Sequence, residues 1–461
     1  MAHQAHNIPW HSLADNLEYV FSNAQHGGVT NLYPRNLPKQ NGNLKHFVEA
    51  FAQNVETHSR TSRPKYATFE VPPAADDIVI DDAFLARMSP FLKYVRLKEE
   101  RYESRLPTTF TFDPERRKMS AFLQNHRYNE CYQFYEVNGK AYAAFKVLQL
   151  ALMLGEMDIV LRICSHPGTD YLKWWNMGEC YDTGYDLGWD KTCKRALEAY
   201  ICLNVFSCYP SLWDTTAGKT KEREYRRTKA YQQMLRNCTL AFHPDIPLLP
   251  HRQFFGITKL HFNGLTKQNK AIWEPPRPKY GQGYRAHRAM GVLAFEDFLA
   301  LEHETYHIPS RSNTEDVQHI LWSLGLPAEL QLRILELADY DKDGPRRLTI
   351  EHDPLHSDNR EELQKYLTYC WTLLVNCDMM VKALGDRIPW QAMVTSTVIG
   401  LFGIELSDPR DFNQERGPGK PPIEVRNKIY RYVDLGERET HDGTSHIRYE
   451  ERHDAFFFAF V

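Results

Sequence analysis

No C-x-x-C pair occurs in this sequence, although nine cysteines stand at 131, 164, 180, 193, 202, 208, 238, 370 and 377. Their odd number and irregular spacing indicate neither a disulfide framework nor a cysteine zinc site. Buried free thiols in a reducing cytosol or nucleus are the expectation. No apolar run reaches the eighteen or so residues that a membrane helix needs. The opening "MAHQAHNIPWHSLADNLEYV" has no basic segment followed by an apolar one, so no secretory signal is expected. The formal sequon at Asn237-Cys238-Thr239 then carries no glycosylation reading. Strand-like runs are also few: "DIVIDD", "TTFTF" and "FGITKLHF". No repeat recurs at a fixed period, which removes a solenoid.

The composition is that of a globular chain. It is 42% hydrophobic and 25% charged over 461 residues, enough for two or three domains with cores of their own. The expected class is mainly α, an irregular multi-helix protein with little β structure. Net charge is only −3 but unevenly spread. Residues 219–288 hold 15 Lys/Arg against 4 Asp/Glu, leaving 41 of the 56 basic and 55 of the 59 acidic residues elsewhere.

Four sections follow along the chain. Residues 1–75 form an N-terminal helical segment, with helices near 12–23 and 44–56. Residues 76–240 form a helical domain. In it, "DDAFLARMSPFLKYV" is read as helical and "KAYAAFKVLQLALMLGEMDIVLRICSH" as two helices broken at Gly155. Helices are expected at 191–208 and 219–237. The proline-rich, basic stretch 241–290 is a connector, because proline hinders regular structure. A C-terminal helical region, 291–461, completes the chain.

Several patterns invite a chemistry. His303-Glu304-Thr305-Tyr306-His307 is a literal H-E-x-x-H, whose histidines lie one turn apart and could share a zinc ion while Glu304 activates its water. Pro309 ends the helix immediately afterwards, and no H-x-x-G-x-x-H continuation follows. Glu329 stands at a workable distance for a third ligand. Asp339, Asp341, Asp343 and Gly344 match a calcium loop, but Ile350 fills the position that needs a bidentate carboxylate. Asp182, Asp186 and Asp190 are four apart, where calcium loops want two, and read as a packed turn. "TTAGKT" has Trp213 where a phosphate loop has its first glycine, and "GQGYRA" follows prolines instead of a strand. In 219–288, Lys and Arg alternate with Tyr225, Tyr231, Phe254, Phe255, Trp273, Tyr280 and Tyr284. That composition suits single-stranded nucleic acid or another polyanion, or a solvated face turned to the acidic remainder.

The segment "LGLPAELQLRILELADY" opens a helix with proline in its first turn and carries a stripe of Leu330, Ile334, Leu337 and Ala338. A longer amphipathic helix follows through Leu363, Leu367, Cys370, Leu374 and Met379. Leu326, Pro327, Glu329, Leu330 and Ile334 resemble the L-P-x-E-[LI]-x-x-x-I opening of an F-box, and residues 326–400 are similar to uncharacterised F-box-like proteins of filamentous fungi. The later V-C-x-x-W element of that module is echoed only by Cys370-Trp371, after a longer gap. "PPIEVRNKIYRYV" at 421–433 repeats the opening, with Val425, Ile429 and Val433 as its apolar positions.

The resemblance implies a non-enzymatic interaction or adaptor protein, cytoplasmic or nuclear. It would recruit a target to a ubiquitin ligase, contacting a Skp1-like adaptor through Leu326, Pro327, Glu329, Leu330, Ile334 and Leu337. No cofactor and no catalytic residue follow from it. The alternatives are a zinc-dependent hydrolase using the HETYH motif and a polyanion-binding protein using 219–288.

Overall fold

Apolar residues three and four apart build the first long helix. Leu44, Phe47, Val48, Phe51, Ala52 and Val55 turn one stripe inward along Gln40–Ser62. The computed structural model describes residues 7–21, 30–35, 40–68, 72–88, 114–124, 134–172, 190–239, 249–255, 311–337 and 353–402. Among them the chain is mainly α, 71% helical, with a two-stranded sheet.

The helices are α1 (Trp10–Ala14), α2 (Gln40–Ser62), α3 (Phe134–Leu154), α4 (Met157–Cys164), α5 (Asp190–Ser207), α6 (Lys229–Thr239), α7 (Leu249–Phe255), α8 (Arg311–Ser323), α9 (Ala328–Leu337), α10 (Arg360–Ala383) and α11 (Trp390–Phe402). Strands β1 (Leu17–Val20) and β2 (Asn31–Pro34) pair antiparallel, with Leu17 opposite Pro34 and Val20 opposite Asn31.

α5 is buried nearly all round, α10 is buried on one stripe at first and all round over Leu373–Val381, and the two pack on each other at the centre. α2 lies on α10, α11 lies on α2, α5 and α6, α6 lies on α5, and α3 and α4 lie on α10. Trp10, Phe47, Phe51, Tyr200 and Trp371 meet edge to face or tilted, with centroids 5.3–6.2 Å apart, and so join α1, α2, α5 and α10. Each fully buried ring of this kind contributes about 1.5–3 kcal/mol by leaving water. One apolar cluster runs from Ile8 to Phe402, so packing crosses the points near 75 and 240 where the sequence changes character.

Gly155 takes φ +76 between α3 and α4. The amides of Gly155 and Glu156 reach back to the carbonyls of Leu152 (3.2 Å) and Ala151 (2.9 Å), closing the first helix as a Schellman turn. The two-helix hairpin expected from "KAYAAFKVLQLALMLGEMDIVLRICSH" is present. Asn31 supplies a long-range tie: its amide donates to Leu401 O at 3.1 Å, and its oxygen accepts from Ala230 N at 3.1 Å, at the start of α6.

Some local expectations change. The helix expected over 12–23 stops at Ala14, and Leu17–Val20 becomes a strand paired with Asn31–Pro34. The helix expected over 219–237 begins only at Lys229, where the Thr228 hydroxyl accepts from Tyr231 N at 3.2 Å. Residues 219–228 are instead held as loop and a short 3-10 turn by the buried Glu224–Arg226 pair, 2.9 Å apart. Within the proline-rich connector, Leu249–Phe255 is helical. "DIVIDD" makes a single bridge, Ile78 to Lys118. The run "TTFTF" lies outside the described residues, as do Cys131 and Cys180.

Candidate functional site

The F-box-like opening lies on a hairpin of its own, α8 and α9 packed on each other. Gly325, at φ +70, ends α8: its amide reaches Trp322 O at 2.9 Å and the Leu326 amide reaches Leu321 O at 3.4 Å. Pro327 precedes α9, and its carbonyl accepts from Leu330 N and Gln331 N at 3.0 and 3.1 Å. The Gln331 side chain donates to Leu326 O at 2.7 Å and closes the turn.

Of the residues singled out for partner contact, Leu326 is half-buried while Pro327 and Glu329 are exposed. Leu330 and Ile334, one turn apart, are 51% and 40% exposed. Leu337 closes α9 three residues on, and its side chain lies outside the described residues. On the other side of α9, Leu335 is buried and Leu332 is 64% exposed. α8 repeats the pattern, with Val317, Ile320 and Leu324 exposed at helical spacing. A helix closing a core would bury such a stripe, as α10 does with Leu363, Leu367, Cys370 and Leu374. Here the stripe faces outward. Cys370 and Trp371, the echo of the later F-box element, are both buried in α10, Trp371 against Phe51, His58 and Tyr200.

In the basic segment, Tyr225, Tyr231, Phe254 and Phe255 are core residues. Lys219 pairs with Asp353 at 2.9 Å, and Tyr225 donates to the other oxygen of the same carboxylate at 2.5 Å. Arg223 lies over the Tyr19 ring, 5.5 Å from its centroid. Lys221 and Arg223 remain exposed. Thus the rings of this described stretch turn inward, and part of its charge is matched within the protein. Trp273, Tyr280 and Tyr284 lie outside the described residues.

Sequence reading missed a buried polar cluster between α5, α6, α7 and α10. Arg195 reaches Glu198 at 3.2 Å, and the Asn237 amide donates to the same carboxylate at 2.7 Å. Burial pushes the Glu198 carboxyl up, against the lowering influence of Arg195 and Asn237. His251 Nδ1 lies 2.6 Å from the Tyr366 hydroxyl, while its buried Nε2 has no hydrogen-bond partner among the described residues. Burial, with the Arg195 cation adding to it, brings the imidazole down to about 3, so it is neutral in place. Phe254 stacks on Tyr366 at 3.8 Å and Tyr369 meets the imidazole edge-on at 6.4 Å. The residues are scattered from 195 to 369, so no local spacing announces them.

The model of one family, described as gramillins biosynthetic cluster protein GRA5, matches residues 11–413. The chain belongs to that family. The family is fungal, and its description names no reaction, cofactor or partner. No curated protein and no solved structure matches the chain.

The GRA5 match spans α2 through α11 whole, the hairpin included, and stops short of 421–433. It also spans His303, Glu304 and His307 and the Asp339–Asp343 loop, all outside the described residues. Glu329 is described and exposed on α9. Among the described residues no group of three His, Cys, Asp or Glu side chains is placed to hold a metal ion, and no helix is long and apolar enough to cross a membrane. The "TTAGKT" stretch is a 3-10 turn capped by the Asp214 side chain and ended by Gly218 at φ +100.

Proposed function

We propose that this member of the GRA5 family is a non-enzymatic interaction protein whose docking element is the α8–α9 hairpin, acting in the service of the biosynthetic cluster for which the family is named. The supporting observation is the outward apolar stripe of α9, with Leu330 at 51% and Ile334 at 40% exposure. Helices of thirteen and ten residues are too short to persist on their own propensity. An exposed apolar face on such a pair draws its stability from a partner surface. The resemblance of Leu326, Pro327, Glu329, Leu330 and Ile334 to an F-box opening puts a Skp1-like adaptor first among partners, with the helical core carrying the target.

The test is capture of a fungal Skp1-type adaptor by the full chain, and its loss on substitution. Leu330→Asp and Ile334→Asp together would reduce capture at least tenfold. The fold would be unaffected, because substitutions at exposed positions change stability by only about 0.5 kcal/mol. Capture that survives both changes, or no capture by the unaltered chain, removes the F-box reading.

A further inference from the structure

α7 is seven residues long, too short to hold helical form without packing. Its Phe254 and Phe255 are buried, and Phe254 stacks on Tyr366 of α10. Its His251 is wholly buried and meets the same Tyr366 through Nδ1. Among the described residues, the groups that face His251 or its tyrosine partner are Arg195 and Glu198 from α5, Asn237 and Cys238 from α6, and Tyr366, Tyr369 and Cys370 from α10. The carboxylate among them is already engaged by Arg195 and Asn237. An imidazolium in this place would be buried beside the Arg195 cation, with no acceptor for Nε2–H among the described residues. Burying an unpaired charge costs several kcal/mol, whereas a histidine released to water takes a proton freely.

We propose that α7 is an acid-released latch: protonation of His251 expels Leu249–Phe255 from its seat on α6 and on Tyr366 of α10 while the α5–α10 core stays folded. In place, the imidazole titrates at about 3, and free in water at about 6.5. The docked state therefore binds fewer protons than the released one between those values. Docking is at full strength above about pH 6.5 and weakens as pH falls toward 3.

The experiment is hydrogen exchange of the full chain followed by mass spectrometry, corrected for the intrinsic pH dependence of amide exchange. Between about pH 7 and 5 the opening constant of 249–255 would rise about twenty-five-fold, while protection in 190–207 and 360–383 stays unchanged. In His251→Gln, which keeps polar atoms but does not titrate, the opening constant would be the same at both values. Unchanged protection of 249–255 in the unaltered protein overturns the latch, and so does its loss together with the two central helices. The unaltered protein alone decides this if the glutamine variant does not fold.

Discussion

The indole N–H of Trp390, the first residue of α11, donates to Oδ1 of Asp378 in α10 at 2.8 Å. The other oxygen of that buried carboxylate takes the ammonium of Lys382, one turn on, at 2.5 Å. Asp378 thereby sets how α11 leaves the turn at Gly385 and lies back across α2 and α5. Asp378→Ala would strand a buried indole N–H and cost about 2–3 kcal/mol, and Asp378→Asn, which keeps an acceptor, about 1. Urea denaturation followed by circular dichroism reads both. An alanine variant as stable as the parent would mean that this carboxylate does not hold α11.

Gly155 sits at φ +76 with open space where a side chain would go. The cost of Gly155→Ala is therefore backbone strain alone, about 1–2 kcal/mol. Thermal melts of the two proteins measure it. Equal melting temperatures would show that α3 and α4 join by a different turn.

Burial raises the thiols of Cys164, Cys202, Cys238 and Cys370 well above the ordinary range. At about pH 8 the thiolate that attacks an alkylating reagent is scarce at these positions. Iodoacetamide would leave all four unmodified in the folded protein and modify them in denaturant, as peptide mapping by mass spectrometry would show. Modification of Cys238 or Cys370 at neutral pH would indicate that the cluster around His251 opens without acid.

What could be read along the chain was periodic and local. The α3–α4 hairpin, α5 and α10 were legible because their apolar residues recur at helical spacing and Gly155 marks the break. The α9 opening was legible because Pro327 and the Leu330–Ile334 interval are a helix start with a stripe. The span 12–23 reads as helix, and the strand Leu17–Val20 within it is not legible, because "NLEYV" carries helical and strand propensity alike. Its pairing with Asn31–Pro34 is a long-range choice, made where Tyr209 donates to Ala14 O and Asn31 joins α6 to α11. The segment 219–228 looked like a charged helix face. Glu224–Arg226 and Lys219–Asp353 turn it into a loop, and the second of these pairs is 134 residues apart in sequence.

By itself, the sequence determined the mainly helical class, the position of most helices and the apolar stripe on α9. Helical periodicity and capping are short-range properties that neighbouring residues enforce together. Only the tertiary structure decided that Leu330 and Ile334 face outward while Cys370 and Trp371 face inward, since an apolar stripe is the same whether or not something covers it. Only the structure, too, brought Arg195, Glu198, Asn237, His251 and Tyr366 together. Burial and the surrounding charges, which set what those groups can do, belong to their neighbours in space.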